Sequence, residues 1–113
     1  MKTERMRRVD EAVREVLSDA IATGIKDPRV GFVTVTAVDT APDLRHAKVF
    51  VSILGHAGVR ARSMDGLRSG HGYLQKRVAR ELRLKHTPTL TFIYDDTAER
   101  AQRMERLLGS DEP

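Results

Sequence analysis

Arg68-Ser69-Gly70-His71-Gly72-Tyr73-Leu74-Gln75-Lys76-Arg77-Val78-Ala79-Arg80-Glu81-Leu82-Arg83-Leu84-Lys85 is the stretch on which the fold turns. Gly70 and Gly72 stand one residue apart near its start, and each glycine inside a helix costs about 1 kcal/mol relative to alanine. Such a joint is either a sharp bend or close backbone approach to a ligand, or else a plain loop before a helix. From Tyr73 to Leu84 the spacing predicts a helix, with Leu74, Val78 and Leu82 stacked on one face and Lys76, Arg80 and Arg83 opposite. A helix starting at Gly72 would also turn its unpaired N–H groups toward any anion at that end.

The same eighteen residues hold six basic side chains and one acidic one, Glu81, in a chain whose formal net charge is only +4. The rest of the sequence is therefore close to neutral. A solvated helix face normally mixes both signs, and the mixture is seen elsewhere: Arg5, Arg7, Arg8, Asp10, Glu11, Arg14 and Glu15 near the N-terminus, Glu99, Arg100, Arg103, Glu105 and Arg106 near the C-terminus. Clustered positive charge attracts a polyanion better than the same charge spread evenly. Lys76, Arg77, Arg80, Arg83 and Lys85 are thus the candidate nucleic-acid contacts. Fifteen of the 20 basic residues are Arg, whose planar fork matches phosphate oxygens.

Outward from this stretch, Met6, Val9, Val13, Val16, Leu17, Ala20 and Ile21 recur at helical spacing from Glu4 to Ile21, and Gly24 ends the helix. Phe32 to Asp39 is β-branched and predicts a strand. After the turn Ala41-Pro42-Asp43, Arg45 to Leu54 predicts a second strand, with Ala47, Val49, Val51 and Ile53 on one face, and the two should pair as an antiparallel hairpin. Gly55 to Ser63 reads as a loop, and Met64 to Arg68 as a short helix before the glycine joint. Thr87-Pro88 precedes a third strand, Leu90 to Tyr94, and Asp96-Thr97-Ala98-Glu99 resembles a capping box for a last helix through Ala101, Met104, Leu107 and Leu108. The expected architecture is a single α+β domain over residues 1–113, with its core at about 5–108, a frayed tail at 109–113, and helices covering one face of a three-stranded sheet.

Several functions are excluded by residue type. The chain has no cysteine, so disulfides, thiolate catalysis and cysteine-ligated metal sites are absent. No apolar run approaches the roughly 20 residues of a membrane span, and the charged N-terminus lacks the apolar core of a secretory signal. A cytoplasmic location is expected. His46, His56, His71 and His86 lack ligand spacing, Asp95-Asp96 reads as a strand end and cap, and no nucleophile–base constellation stands out; no metal, cofactor or enzymatic activity is expected. Gly55-His56-Ala57-Gly58 spells the GxxG of KH domains, but it follows a strand instead of joining two helices and reads as a turn. At 4% aromatics, base stacking on an open sheet is disfavoured and contact to backbone and shape is expected.

Taken together, the residues resemble bacterial ribosome-binding factor A from about Arg5 to Leu108. The resemblance rests on Arg8-Val9, Asp27-Pro28-Arg29, Val33-Thr34-Val35-Thr36 and the run Asp43 to Ser52. It is most specific at Gly72-Tyr73-Leu74, Leu82-Arg83-Leu84-Lys85 and Pro88-Thr89-Leu90-Thr91-Phe92-Ile93-Tyr94-Asp95. The resemblance implies a type-II KH-like domain in which an Ala-x-Gly kink between two helices replaces the GxxG loop; here the kink falls on Gly70-His71-Gly72, with Gly in place of Ala. It further implies a monomeric, non-enzymatic assembly factor that binds the free small (30S) ribosomal subunit. Such a factor assists late maturation and processing of 16S rRNA and matters most in the cold. Two other classes compete: a regulatory ligand-binding module without RNA affinity, and a small hydrolase, disfavoured by the missing nucleophile–base pair.

Overall fold

The computed structural model of the chain describes residues 2–109. Its elements are α1 (Glu4–Thr23), β1 (Val33–Thr40), β2 (His46–Ile53), α2 (Ala57–Ser69), α3 (His71–Glu81), β3 (Thr89–Tyr94) and α4 (Thr97–Gly109). The expected α+β class holds: among the described residues, four helices accompany a mixed three-stranded sheet in the order β1-β2-β3. The part of the expected tail at 110–113 lies outside the described residues, and Gly109 closes α4.

α1 forms where its apolar stripe demands, burying Met6, Val9, Val13, Leu17, Ala20 and Ile21, and the Thr3 hydroxyl accepts the Met6 N–H at 3.2 Å as N-cap. β1 and β2 pair antiparallel as expected, from Val33 opposite Ile53 to Thr40 opposite Ala47. A bulge between Val35 and Ala37 leaves Thr36 unopposed and shifts the inward set from Val35 to Val38 and Thr40. Thr40 is buried yet satisfied: the Asp10 carboxylate accepts its backbone N–H at 2.8 Å and its hydroxyl as well. β3 pairs with β2 in parallel, Thr89 beside His46 and Tyr94 beside Val51. The inward faces of all three strands join α1, α2 and α3 in one continuous core.

Several expectations need correction. First, α2 begins at Ala57, well before Met64: the His56 imidazole accepts the Gly58 N–H at 3.1 Å and caps the helix. Gly58, Arg60 and Arg62 hide its period, because α2 buries only Ser63, Met64, Gly66 and Leu67. Gly66 lets the preceding segment lie flat on the helix, since a Cβ there would sit 2.6 Å from the Val30 methyl. Ser63 and Ser69 complete that seam, Ser63 donating to the Arg29 carbonyl and Ser69 accepting from the Arg29 guanidinium, while the same Arg29 draws the Asp27 carboxyl down to about 2.

Second, the bend lies at Gly70 alone. It ends α2 and starts α3 at φ −83° and ψ 6°, a conformation open to any residue. Gly72 is the second residue of α3, exposed and without positive φ, and a Cβ added to it would meet nothing within 4 Å, so no demanding backbone belongs to it. Third, α4 covers no face of the sheet. None of its residues is buried, Met104, Leu107 and Leu108 are exposed, and the domain reaches 59 Å along its longest axis. The capping box does not close either: Asp95, not Asp96, receives the Thr97 N–H at 3.0 Å, and Glu99 instead takes the Tyr94 hydroxyl.

Two measurements follow from these contacts. Gly72→Ala should raise stability by about 0.4–1 kcal/mol, as expected for an exposed glycine whose backbone alanine can adopt, whereas Gly66→Ala should lower the melting temperature because Val30 must move. Burial, then the Glu99 carboxylate, push the Tyr94 phenol up to about 12. The neutral phenol is therefore favoured in the fold, and this contribution is present below pH 10 and lost as pH rises through about 12. In a Tyr73→Phe variant, absorbance titration of the remaining phenol should show its midpoint near 12.

Candidate nucleic-acid interface

α3 is positioned by three of its faces. Leu74 and Val78 are fully buried and hold it against the core, each worth roughly 1.5–3 kcal/mol of apolar burial. On one flank, the Gln75 side chain donates to the Pro88 carbonyl at 2.6 Å and accepts the Leu90 N–H at 3.2 Å, pinning the start of β3. His71 Nε2 lies 3.0 Å from the Leu90 carbonyl, and its ring meets Phe92 edge-on at 6.4 Å. On the other flank, Arg77 reaches α1: its guanidinium donates to Asp19 at 2.9 Å, Glu81 at 2.6 Å and the Tyr73 hydroxyl at 2.8 Å.

That leaves the outward face. Lys76 and Arg80, one turn apart, are exposed and have no ion pair among the described residues. The helix does not run on to Leu84 as expected; Leu82 turns extended at φ −112° and ψ 103°. Beyond it, Leu82 and Leu84 are half-buried against the core while Arg83 and Lys85 are exposed. Arg83 and Lys85 thus reach solvent by strand-like alternation instead of helical spacing. Arg83 and Lys85 also have no ion pair among the described residues.

Of the five expected contacts, four are exposed and without an ion pair among the described residues: Lys76, Arg80, Arg83 and Lys85. Arg77 does different work. Its side chain is only 13% exposed, and the hydrogen bond to Glu81, then those to Tyr73 and Asp19, hold it protonated far above its usual range. Its partner Asp19 lies 58 positions away, so no local pattern could have separated it from its neighbours. Sequence spacing also missed Arg5 and Arg45, which the fold sets along clefts beside Lys85 and His86. Among the described residues no group of three or more His, Cys, Asp or Glu could hold a metal ion, and no helix is long and apolar enough to cross a membrane.

By fold and surface, this is a small α+β domain with a one-sided mixed sheet, a bent helix pair, and exposed cations on α3 and the segment after it. The family model described as Ribosome-binding factor A matches residues 5–108, and the chain belongs to that family. Among its relatives, Ribosome-binding factor A of Anaeromyxobacter sp. (strain Fw109-5) is 49% identical over 92% of this chain and 86% of the relative. That of Halothermothrix orenii is 43% identical over 96% and 88%, and that of Geobacter metallireducens 39% identical over 96% and 95%. A Thermotoga maritima protein described as a putative ribosome binding factor A, solved by solution NMR, superposes with a TM-score of 0.72 at 28% identity, covering 82% of this chain and 89% of that one. The crystal structure of the Thermus thermophilus factor gives 0.70 at 22% identity, over 79% and 94% of the two chains. A Thermus thermophilus homology model, fitted into a cryo-EM map of a complex of that factor with 30S, gives 0.65 at 22% identity, over 86% and 98%. At 22% identity the last two speak for the fold alone.

If Arg77 is a clamp between α3 and α1, Arg77→Ala should lower the melting temperature clearly more than Lys76→Ala. Asp19→Asn should reproduce part of that loss, measured by thermal melts of the three variants side by side.

Proposed function

We propose that this chain binds the free small ribosomal subunit by laying Lys76, Arg80, Arg83 and Lys85 along phosphates of 16S rRNA. The observation that carries the reading is the row itself: four cations without an acidic partner among the described residues, on a chain of the ribosome-binding factor A family. Exposed Lys and Arg side chains without acidic partners are free to contact phosphate oxygens, which position a protein on RNA without reading its sequence. The bend at Gly70 sets the row's direction, and we read α1 to β3 as one KH-like domain, consistent with its mixed sheet and bent helix pair. The factor works without catalysis, as a cytoplasmic monomer. It assists late maturation and processing of 16S rRNA by favouring one rRNA conformer over its alternatives, which requires only a difference in affinity between them. Misfolded rRNA pairings persist longest in the cold, and there the factor matters most.

Binding to structured RNA should weaken steeply with salt. With about four phosphates engaged, the log–log slope should be about −3, at roughly −0.7 to −0.9 per phosphate; a slope near zero would overturn the reading. In co-sedimentation with isolated small subunits, Lys76→Glu combined with Arg80→Glu should abolish association without loss of fold, both side chains being solvent-exposed. Arg100→Glu with Arg103→Glu on the charge-balanced α4 should do much less. Equal losses from the two pairs would mean that another surface binds.

A further inference from the structure

We propose that the cleft between the start of α1, the β1–β2 turn and the segment after α3 takes a single unstacked nucleobase from a single-stranded stretch of RNA, with a preference for bases bearing an exocyclic amine. The proposal rests on the rRNA reading above and adds to it a second kind of contact, to a base instead of the backbone.

The cleft holds about 200 Å³, below the roughly 300 Å³ at which pockets for small-molecule ligands begin, and so suits one flat ring and little more. Its floor is apolar: Val9 and Pro88 are buried there, and Leu44 and Leu84 half-buried. Its rim is exposed and polar, with Arg5, Lys85 and His86 around one carboxylate, Asp43. An apolar floor under a cationic rim is what a nucleotide requires, a π-face to bury and a phosphate to neutralise. Lys85 is both one of the four exposed cations and a wall of the cleft, which joins the two contacts at one residue. His86 is shared with a neighbouring cleft lined by Arg45 and His46, which leaves a path for the next phosphate and a ring for the base to stack against.

Two details of the β1–β2 turn bear on selectivity. Leu44 has φ +60°, and among the described residues it is the single non-glycine with positive φ. A branched, bulky side chain is rarely found there, and here that backbone places Leu44 in the cleft wall. Asp43 Oδ1 accepts the Arg45 N–H at 2.9 Å, which fixes the carboxylate, while Oδ2 has no partner among the described residues. A fixed, free carboxylate oxygen repels phosphate but accepts from an amine, as on N4 of cytosine or N6 of adenine. Uracil offers a carbonyl at the same position and would face it unfavourably.

The test compares oligo-C and oligo-U single strands of about ten nucleotides, within the footprint of common single-strand-binding domains, and a blunt RNA duplex, by fluorescence anisotropy. The intact protein should bind oligo-C about tenfold more tightly than oligo-U, the worth of one charge-assisted hydrogen bond. Asp43→Asn keeps the bond to the Arg45 N–H and replaces the free acceptor by a donor, so it should abolish or invert that preference. His86→Ala should weaken both single strands, and neither variant should alter duplex binding. No pyrimidine preference in the intact protein, or one that Asp43→Asn leaves unchanged, overturns the cleft. The row is judged separately by Lys76→Glu with Arg80→Glu: loss of duplex binding with no pyrimidine preference leaves the row standing without the cleft. Unchanged duplex binding with a preference that Asp43→Asn inverts leaves the cleft standing without the row.

Discussion

Parallel pairing of β2 with β3 is the constraint from which the rest of the architecture follows. β2 ends at Ile53, yet β3 must begin beside His46, at the opposite end of the sheet. Parallel neighbours cannot be joined by a tight turn, and the chain needs a crossover long enough to run back along the strands. Residues 57–81 provide it as two helices, α2 and α3, with the change of direction at Gly70. Because the crossover must pack on the sheet as it returns, Leu67, Leu74 and Val78 are committed to the core. The long polar side chains along α3 are then divided by geometry: Gln75 to β3, Arg77 to α1, Lys76 and Arg80 to solvent.

Much of this was legible in the residues where a single periodicity is unopposed. α1 is readable because its buried positions recur at three and four, and β2 because Ala47, Val49, Val51 and Ile53 alternate without interruption. The misreadings fall where two periods fit equally well or where none is expressed. Leu74, Val78 and Leu82 fit a helix, but Leu82 and Leu84 fit a strand, and the chain changes from one to the other at Leu82. The first turn of α2 has no buried residue at all, so nothing in its composition announces a helix; an imidazole cap and contacts formed further along decide it.

The candidate surface shows the same limit in electrostatic terms. Counting charges along the chain located a segment rich in exposed cations but could not distinguish a cation facing water from one already neutralised. Arg77 and Lys76 are adjacent, and what separates them is Asp19, a residue on another helix. Partner identity across the fold is a tertiary property. The same holds for the convergence of Arg5, Asp43 and Lys85, three residues from three distant parts of the chain, at one cleft.

The way α4 is attached has a thermodynamic consequence of its own. A helix of 13 residues with none of them buried lies at the length where isolated helices are marginal in water. Near its root it is tied to the body by Asp95, which bridges Thr36 and Thr97, and by Glu99, which meets Tyr94 and Arg60. The body and α4 therefore form two cooperative units of unequal strength. The outer turns of α4 can open while the core stays closed, and the amides of the two parts report different free energies of opening. A single unfolding free energy then describes the α1–β3 body, and the helix beyond it obeys a separate helix–coil equilibrium.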